Sequence, residues 1–406
     1  MAWCGLIGMP LGHSFSPKLH GMLADYDYRL IPLEEKSLPV FLQTEDFLGL
    51  NVTIPYKQTV IPLLDELSPE AERIGAVNTI LRLPNGRLRG YNTDYDGFVH
   101  LLRASGLDVR GKKVLVLGTG GASRPVRCAL EDQGAGEIVS ISRTGPDNYE
   151  TLSRHRDTRI LVNTTPVGMY PGNGASPLSL DAFPELDGVL DLIYNPQRTA
   201  LVLQALDRGL PALGGLIMLA FQALRAAEIF TGRAIDEARG AEAAARLARE
   251  AENWVLIGMP GCGKSTIAAA LARRTGREVL DADALVEQAA GRSIPEIFAA
   301  EGEAGFRARE SAVLARFGRE SGKILATGGG AVTQPKNRDF LRQNGRLIFL
   351  ERDLALLPTA GRPVSQATAP EALYARRAPL YRAWADVTVQ NDAPADAVAE
   401  RILEVL

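Results

Sequence analysis

Gly258-Met259-Pro260-Gly261-Cys262-Gly263-Lys264-Ser265-Thr266 follows a short apolar run, Trp254-Val255-Leu256-Ile257, and precedes Ile267 and Leu271, spaced as on the buried face of a helix. Strand, G-x-x-x-x-G-K-[ST] turn and helix in that order describe a phosphate cradle. The glycines let backbone N–H groups converge on one anion, Lys264 reaches terminal phosphates, and Ser265 offers its hydroxyl to Mg2+. The nucleotide-binding set read from the stretch is Gly258, Gly261, Cys262, Gly263, Lys264, Ser265 and Thr266. Cys262 suits the loop by its small size, redox chemistry being the weaker reading. The competing reading of the whole stretch is a glycine-rich turn before a helix.

The loop divides 406 residues into two unequal parts, and a chain of that length exceeds what one core serves, so two or three domains are expected. Apolar content of 46% and charged content of 23% mark a soluble globular protein. A net charge of -3 without a basic run argues against a nucleic-acid partner and points to small molecules. Cys4, Cys128 and Cys262 are scattered, which fits a reducing compartment, and the four histidines lack metal-ligand spacing with any cysteine. Gly5, Gly8, Pro10 and Gly12 break the first apolar run, and residues 213–224 are too few to span a bilayer. The expectation is a cytoplasmic protein with no membrane partner; homo-oligomer formation stays open.

Upstream, residues 3–7, 26–31, 48–53, 78–82 and 87–91 look extended and alternate with helical patterns, which predicts an α/β domain. The loops between them are rich in hydroxyl and amide groups. Gly8-Met9-Pro10-Leu11-Gly12-His13-Ser14-Phe15-Ser16-Pro17 sets Ser14 and Ser16 two apart, facing one cleft or, for Ser16, capping the helix that Pro17 starts. Asn51-Val52-Thr53-Ile54-Pro55-Tyr56-Lys57 ends a strand in alternating polar groups and a lysine, and Gly90-Tyr91-Asn92-Thr93-Asp94-Tyr95-Asp96-Gly97 is a turn that by itself suits a helix cap. Together these loops would line a polar cleft able to hydrogen-bond a polyhydroxy acid.

Residues 113–117 then run into Gly118-Thr119-Gly120-Gly121-Ala122-Ser123, a Rossmann dinucleotide turn with Ser123 in place of the third glycine. The following strand ends in Ser142-Arg143-Thr144, and a guanidinium there favours the 2′-phosphate of NADP over the bare ribose of NAD. Two more strands, residues 160–163 and 189–192, lead into Thr164 to Met169 and into Ile193-Tyr194-Asn195-Pro196, turns placed to form the nicotinamide end. Gly214-Gly215 opens an apolar helix in which Gln222 is the polar exception, facing either solvent or the cleft. Composition then shifts to Ala, Glu and Arg, read as a terminal helix passing into a helical linker at 241–251.

These blocks, GMPLGHSFSP, NVTIPYK, GAVNTI, GYNTDYDGF, GTGGASR, NTTPVGM, DLIYNP and GGLIMLAFQ, resemble shikimate dehydrogenase in order and spacing over residues 1 to 240. The resemblance implies a substrate domain at 1–101 and 214–240 and a Rossmann domain at 102–213. It also implies that Ser14, Ser16, Thr53, Asn78, Asn92, Tyr194 and Gln222 hold shikimate or 3-dehydroshikimate. Lys57 and Asp94 would be the catalytic pair, with NADP(H) along Gly118, Gly120, Gly121, Ala122, Ser142, Arg143, Thr144, Thr164, Met169 and Gly215. A free lysine costs about 4 to 5 kcal/mol to deprotonate at neutral pH, so the protonated form is expected to donate to the ketone oxygen, with burial easing the reverse step. No second basic residue follows Arg143, which predicts a weaker NADP preference than the family pattern.

Beyond the phosphate cradle, residues 279–283 read as a strand ending in Asp281 and Asp283 on one side of the pleat, with a helix cap as the competing reading. Arg307 stands near a helix start, and Thr327-Gly328-Gly329-Gly330 ends a strand in a run that suits close backbone approach to a ligand. Arg362-Pro363 lies in a candidate lid, and Arg377-Ala378-Pro379-Leu380-Tyr381 follows. This part resembles shikimate kinase over residues 252–406, which implies a P-loop α/β fold of the nucleoside-monophosphate-kinase type. The resemblance implies ATP, Mg2+ at Ser265 and Asp281, and shikimate at Asp283, Arg307, Gly329, Gly330 and Arg377, with Lys264, Asp283 and Arg362 catalytic. The lid reads Arg-Pro-Val-Ser where the family has Arg-Pro-Leu-Leu. The expectation is a fusion of two shikimate-pathway enzymes; the rivals are a quinate-type dehydrogenase fused to a small-molecule kinase and a non-catalytic metabolite sensor.

Overall fold

The computed structural model describes residues 3–12, 14–357 and 369–406. The chain forms two compact units, Met1–Met169 with Ala175–Ala248 and Tyr170–Gly174 with Arg249–Leu406.

The first unit holds two sheets. One is built from β1 (Trp3–Gly8), β2 (Tyr28–Pro32), β3 (Phe47–Val52), β4 (Glu66–Leu67), β5 (Thr79–Arg82) and β6 (Leu88–Tyr91), in the order β2-β1-β3-β5-β6-β4. β1 runs parallel to β2 and β3, whereas β5 is antiparallel to β3 and β6. Ile7 pairs with Val52, so the loops carrying Ser14 and Lys57 leave the sheet at one edge, tied by Thr53 N–H to Ile7 O at 3.0 Å. The two-residue β4 carries too little periodicity to be foreseen from sequence.

The second sheet, β7 (Lys113–Leu117), β8 (Glu137–Ile141), β9 (Ile160–Asn163), β10 (Gly188–Asp191) and β11 (Ala212–Leu213), is fully parallel in the order β11-β10-β9-β7-β8. Leu117 pairs with Ile141 and Asn163, and Asn163 with Asp191, so the turns after these strands share one end of the sheet. The helix Asp94–Ser105 buries Phe98, Leu101 and Leu102 against Val114 and Val116. Each such side chain contributes roughly 1.5–3 kcal/mol on burial. It lies close against the helix Leu216–Thr231 because Gly97 has no side chain; an added Cβ would sit 2.5 Å from Met218 O.

Residues 241–251, read above as a linker, are helical within Glu237–Ala251, and Ala243, Ala244 and Leu247 are buried against Leu216, Ala220 and Leu224. Alanines at helical spacing made this packing face hard to tell from a solvated helix.

The second unit is a parallel sheet of β12 (Asn253–Ile257), β13 (Val279–Asp281), β14 (Ile324–Ala326), β15 (Gly345–Glu351) and β16 (Val387–Gln390), ordered β13-β14-β12-β15-β16. Buried on both faces, β12 occupies the centre, and its Val255, Leu256 and Ile257 are fully enclosed. The phosphate loop leaves its end and enters the helix Lys264–Thr275. The expected strand 279–283 is corrected: it stops at Asp281, and Asp283 stands in the first turn of the helix Ala282–Ala290. Asp281 is that helix's cap, accepting from the N–H groups of Asp283 and Ala284 at 3.0 and 3.3 Å, so backbone satisfaction at the helix start ends the strand. Among the described residues, no helix is long and apolar enough to cross a membrane.

Candidate functional sites

In the first unit, the turn after β3 is pinned by Tyr56, whose hydroxyl donates to Leu33 O at 2.5 Å, and by Val77 N–H donating to Lys57 O at 2.7 Å. The Lys57 ammonium then reaches Asp94 Oδ2 at 2.5 Å, the two side chains being 16% and 9% exposed. Asp94 opens the helix Asp94–Ser105, where the positive end of the helix favours a carboxylate. Thirty-seven residues of sequence separate the pair, and only the strand order brings them together.

Asn78 is held from all sides: its Oδ1 accepts from Thr93 N–H at 2.7 Å and its Nδ2 donates to the Thr93 hydroxyl at 3.0 Å. Behind it, Thr79 donates to Asn78 Oδ1 at 3.1 Å, Asn51 donates to Thr79 at 3.1 Å, and Tyr28 donates to Asn51 Oδ1 at 2.8 Å. Thr93, Thr79 and Tyr28 were not singled out from sequence, and single hydroxyls carry no signal that would have done so. Asn92 donates to Ala76 O at 2.8 Å while its buried Oδ1 has no partner. An orphaned acceptor of this kind fits a site that takes a hydroxyl donor.

Phe15, not Ser16, occupies the cap position of the helix Ser16–Leu23, and no side chain caps it. The Ser16 hydroxyl instead accepts from Ser14 Oγ at 3.1 Å. Gln222 is 9% exposed, donating to Leu219 O at 2.9 Å, which removes the solvent-facing reading. Tyr194 is half-buried with its ring 5.5 Å from Phe15.

At the second sheet, Gly118 has φ 102° and its N–H donates to Ile141 O at 2.8 Å, while Ser123 closes the turn by donating to Gly120 O at 2.7 Å. A Cβ on Gly120 would meet nothing within 4 Å and one on Gly121 would lie 3.6 Å from Lys57 Cβ, so the turn opens onto free space beside the lysine. That cradle, capped by a helix N-terminus at Ala122, fits a dinucleotide's pyrophosphate. Ser142 donates to Thr144 O at 2.5 Å and shapes the loop on which Arg143 is exposed. Thr164 donates to Leu117 O at 2.6 Å, and Met169 is 43% exposed. Gly215 leaves no room for a side chain, because a Cβ would overlap Leu192 O. Beneath these turns Asp191 accepts from Thr199 at 2.7 Å, Asn163 at 3.0 Å and Ile193 N–H at 3.0 Å; burial pushes its carboxyl up to about 6 despite these donors.

In the second unit a cleft of about 790 Å³ is lined by the phosphate loop, Asp281, Asp283, Arg307, Glu310, Gly329 and Arg377. Gly258, Gly261 and Gly263 have φ of 147°, 84° and 95°, the conformations that aim N–H groups inward. Cys262 is fully buried, and Thr266 is exposed at the helix start. Lys264 Nζ folds over the loop, donating to Gly258 O and Met259 O at 2.9 Å each, and Ser265 donates to Asp281 Oδ2 at 2.7 Å. The hydroxyl and carboxylate side by side are a hard-oxygen donor set suited to Mg2+.

Arg307 lies five residues past Gly302, whose non-helical backbone interrupts Ile294–Phe317. Its guanidinium donates to Glu310 at 2.7 Å and Glu303 at 3.3 Å. Glu310, fully buried, was missed, although the Arg-x-x-Glu spacing on a helix carries a signal for it. Side chains on Gly328 or Gly330 would overlap Glu310 and Arg307 respectively, and Arg377 donates to Gly329 O at 3.2 Å. Burial and the Asp281 charge raise the Asp283 carboxyl above the usual range, against the pull of Lys264 and Arg307. Arg362 and the candidate lid lie outside the described residues.

Residues 260–406 match the family model for shikimate kinase, and residues 6–80 match that for the shikimate dehydrogenase substrate binding domain. The chain is similar to the shikimate dehydrogenase (NADP(+)) of Clostridium perfringens strain SM101 / Type A, 38% identical over 257 residues, which span 57% of this chain and 93% of that protein. The corresponding protein of Methanopyrus kandleri is 38% identical over 260 residues, 56% of this chain and 89% of the relative. Among solved structures, shikimate 5-dehydrogenase of Thermus thermophilus in complex with NADP(H) and shikimate has a TM-score of 0.55 at 37% identity, covering 61% of this chain and 99% of that one. Shikimate dehydrogenase 1 of Peptoclostridium difficile has a TM-score of 0.57 at 36% identity, covering 61% and 98%.

Proposed function

The chain belongs to the shikimate dehydrogenase family and carries a shikimate kinase domain after it, and from this we propose how its own residues perform the two activities. It is a bifunctional shikimate-pathway enzyme that reduces 3-dehydroshikimate and phosphorylates the resulting shikimate. NADPH supplies the hydride for the first step, and ATP with Mg2+ supplies the phosphoryl group for the second.

In the first site Lys57 donates the proton that the ketone oxygen acquires as it becomes a hydroxyl. Asp94 at 2.5 Å holds the ammonium in place and aims it. Asn78, locked by Thr93, and Asn92, with its free buried acceptor, orient the ring hydroxyls, together with Ser14, Ser16, Thr53, Tyr194 and Gln222. The observation that carries the assignment is the Lys57–Asp94 pair beside the dinucleotide turn, where Gly121 stands next to the lysine side chain. Arg143 grips the 2′-phosphate.

In the second site Asp283 accepts the proton from the attacking ring hydroxyl, and its raised pKa makes it a better base than an ordinary carboxylate. Arg307 and Arg377 fork onto the substrate carboxylate. Lys264 leaves its loop carbonyls for the terminal phosphates, with Arg362 adding charge. The three free cysteines suit a reducing, cytoplasmic setting.

The test is a single incubation of the full chain with 3-dehydroshikimate, NADPH, ATP and Mg2+, following NADPH loss and shikimate 3-phosphate. Both signals are expected. Binding of shikimate without turnover would favour a sensor, and preference for quinate would favour the quinate-type reading.

A further inference from the structure

Four cationic side chains line the cleft of the second unit among the described residues: Lys264, Arg307, Arg352 and Arg377. Three are tied to protein acceptors, Lys264 to Gly258 O and Met259 O, Arg307 to Glu310 and Glu303, and Arg377 to Gly329 O. Arg352 is different: like Arg307 it has a buried Nε without a partner, but among the described residues no hydrogen bond or ion pair ties its guanidinium to any acceptor, and the residue as a whole is half-buried.

The nearby acidic side chains are committed elsewhere. Glu351 accepts from Tyr374, Arg382 and Gln390, each at 2.7 Å. Asp353 Oδ1 accepts from Ala355 N–H at 3.0 Å, and Asp392 pairs with Arg401 at 2.6 Å. None of these three carboxylates neutralises the guanidinium.

Position points the same way. Arg352 follows directly on β15, whose Phe349 pairs with Ile257 of β12, so it emerges beside the loop that Ile257 leads into. Its Nη1 stands 3.6 Å from where a Cβ on Gly263 would be. There Gly263, at φ 95°, turns into the helix that starts at Lys264. A partly desolvated guanidinium with an unmatched N–H, beside converging backbone N–H groups, lacks only an anion with several oxygens. Sequence reading passed over it because no phosphate-loop pattern reaches to the end of a strand some ninety residues later.

We propose that Arg352 is a further nucleotide-binding residue of the kinase site, its guanidinium gripping a phosphate oxygen of ATP next to Gly263. The inference rests on the reading of 258–266 as the ATP cradle and adds a contact to it. Because Arg352 directly follows β15, an interior strand paired with β12, the sheet itself fixes where its backbone meets the cradle.

The test uses the full chain with Arg352→Gln and Arg352→Lys, and Lys264→Ala to check the cradle itself. Arg352→Gln should raise the KM for ATP on the order of tenfold, the worth of one charge-assisted contact, with the KM for shikimate unchanged. Arg352→Lys, retaining charge without the fork, should fall between and also serves if the glutamine variant folds poorly. Inorganic tripolyphosphate as a competitor of ATP should weaken by the same factor in Arg352→Gln. A KM for ATP within twofold of the parent overturns the proposal, as does a parallel rise of both KM values, the mark of a merely structural role. Unchanged tripolyphosphate inhibition also overturns it, since the guanidinium would then meet the base. If Lys264→Ala still turned over ATP normally, the cradle reading itself would fall; loss in Lys264→Ala with none in Arg352→Gln defeats the Arg352 inference alone.

Discussion

Replacing Lys57 by Met keeps the aliphatic stem and removes the ammonium, which separates the two things the Lys57–Asp94 contact can do. As a general acid the lysine is worth about 10²- to 10⁴-fold in rate, or about 3–5 kcal/mol of barrier. As an ion pair at 2.5 Å with side chains 16% and 9% exposed, its loss leaves the Asp94 carboxylate uncompensated, at a cost of about 3–5 kcal/mol of stability. Both single variants, Lys57→Met and Asp94→Asn, should therefore be destabilised. The double variant, which strands no charge, should recover most of that stability while its kcat stays as low as that of Lys57→Met. Turnover is read from NADPH oxidation with 3-dehydroshikimate, stability from pulse proteolysis in urea, and phosphorylation of added shikimate by the same chain is the internal control. A Lys57→Met enzyme retaining more than about a tenth of parental kcat, or a double variant that regains rate along with stability, would show the pair to be structural and refute the proton assignment.

Asp191 offers a pH test. Burial raises its carboxyl to about 6, above the ordinary value near 3.9, so the folded state keeps a proton that the unfolded state releases. Its stabilising contribution is full below roughly pH 4 and is lost as pH rises through about 6, about 3 kcal/mol in all. Asp191→Asn should flatten that part of the urea-unfolding profile, and identical profiles for the two proteins would contradict the assignment. Gly330→Ala places a methyl group on the Arg307 guanidinium, which Glu310 holds in place; the KM for shikimate in phosphorylation should rise at least on the order of tenfold with dehydrogenation untouched, and a normal KM would mean that Arg307 does not meet the substrate. Chelation by EDTA should abolish phosphorylation and spare dehydrogenation, and Ser265→Ala should demand more Mg2+ for half-maximal rate because it removes the hydroxyl beside Asp281; an unchanged requirement would remove Ser265 from the metal site.

Much of this protein is legible in its order of residues. The phosphate cradle at 258–266 and the glycine turn at 118–123 are defined by backbone geometry over a few consecutive positions, so their patterns survive reading in one dimension. The parallel strands show as apolar runs for the same local reason. Other features were ambiguous until packing was known. Residues 279–283 read first as a strand with two carboxylates, with a helix cap as the competing reading, and the cap at Asp281 decided for the latter. Residues 241–251 read as a helical linker until Leu247 and its alanines are seen to be buried. Lys57 meets Asp94, Asn78 is locked by Thr93, Arg307 is held by Glu310 under Gly330, and Arg352 is left with an unmatched N–H beside Gly263. Strand order and register bring most of these groups together, and distances of a few ångströms between residues far apart in the chain follow from how sheets assemble, which no local pattern encodes. Composition could say which chemical groups were present; only the folded chain settles which of them are neighbours, because charge, hydrogen bonding and burial act through space.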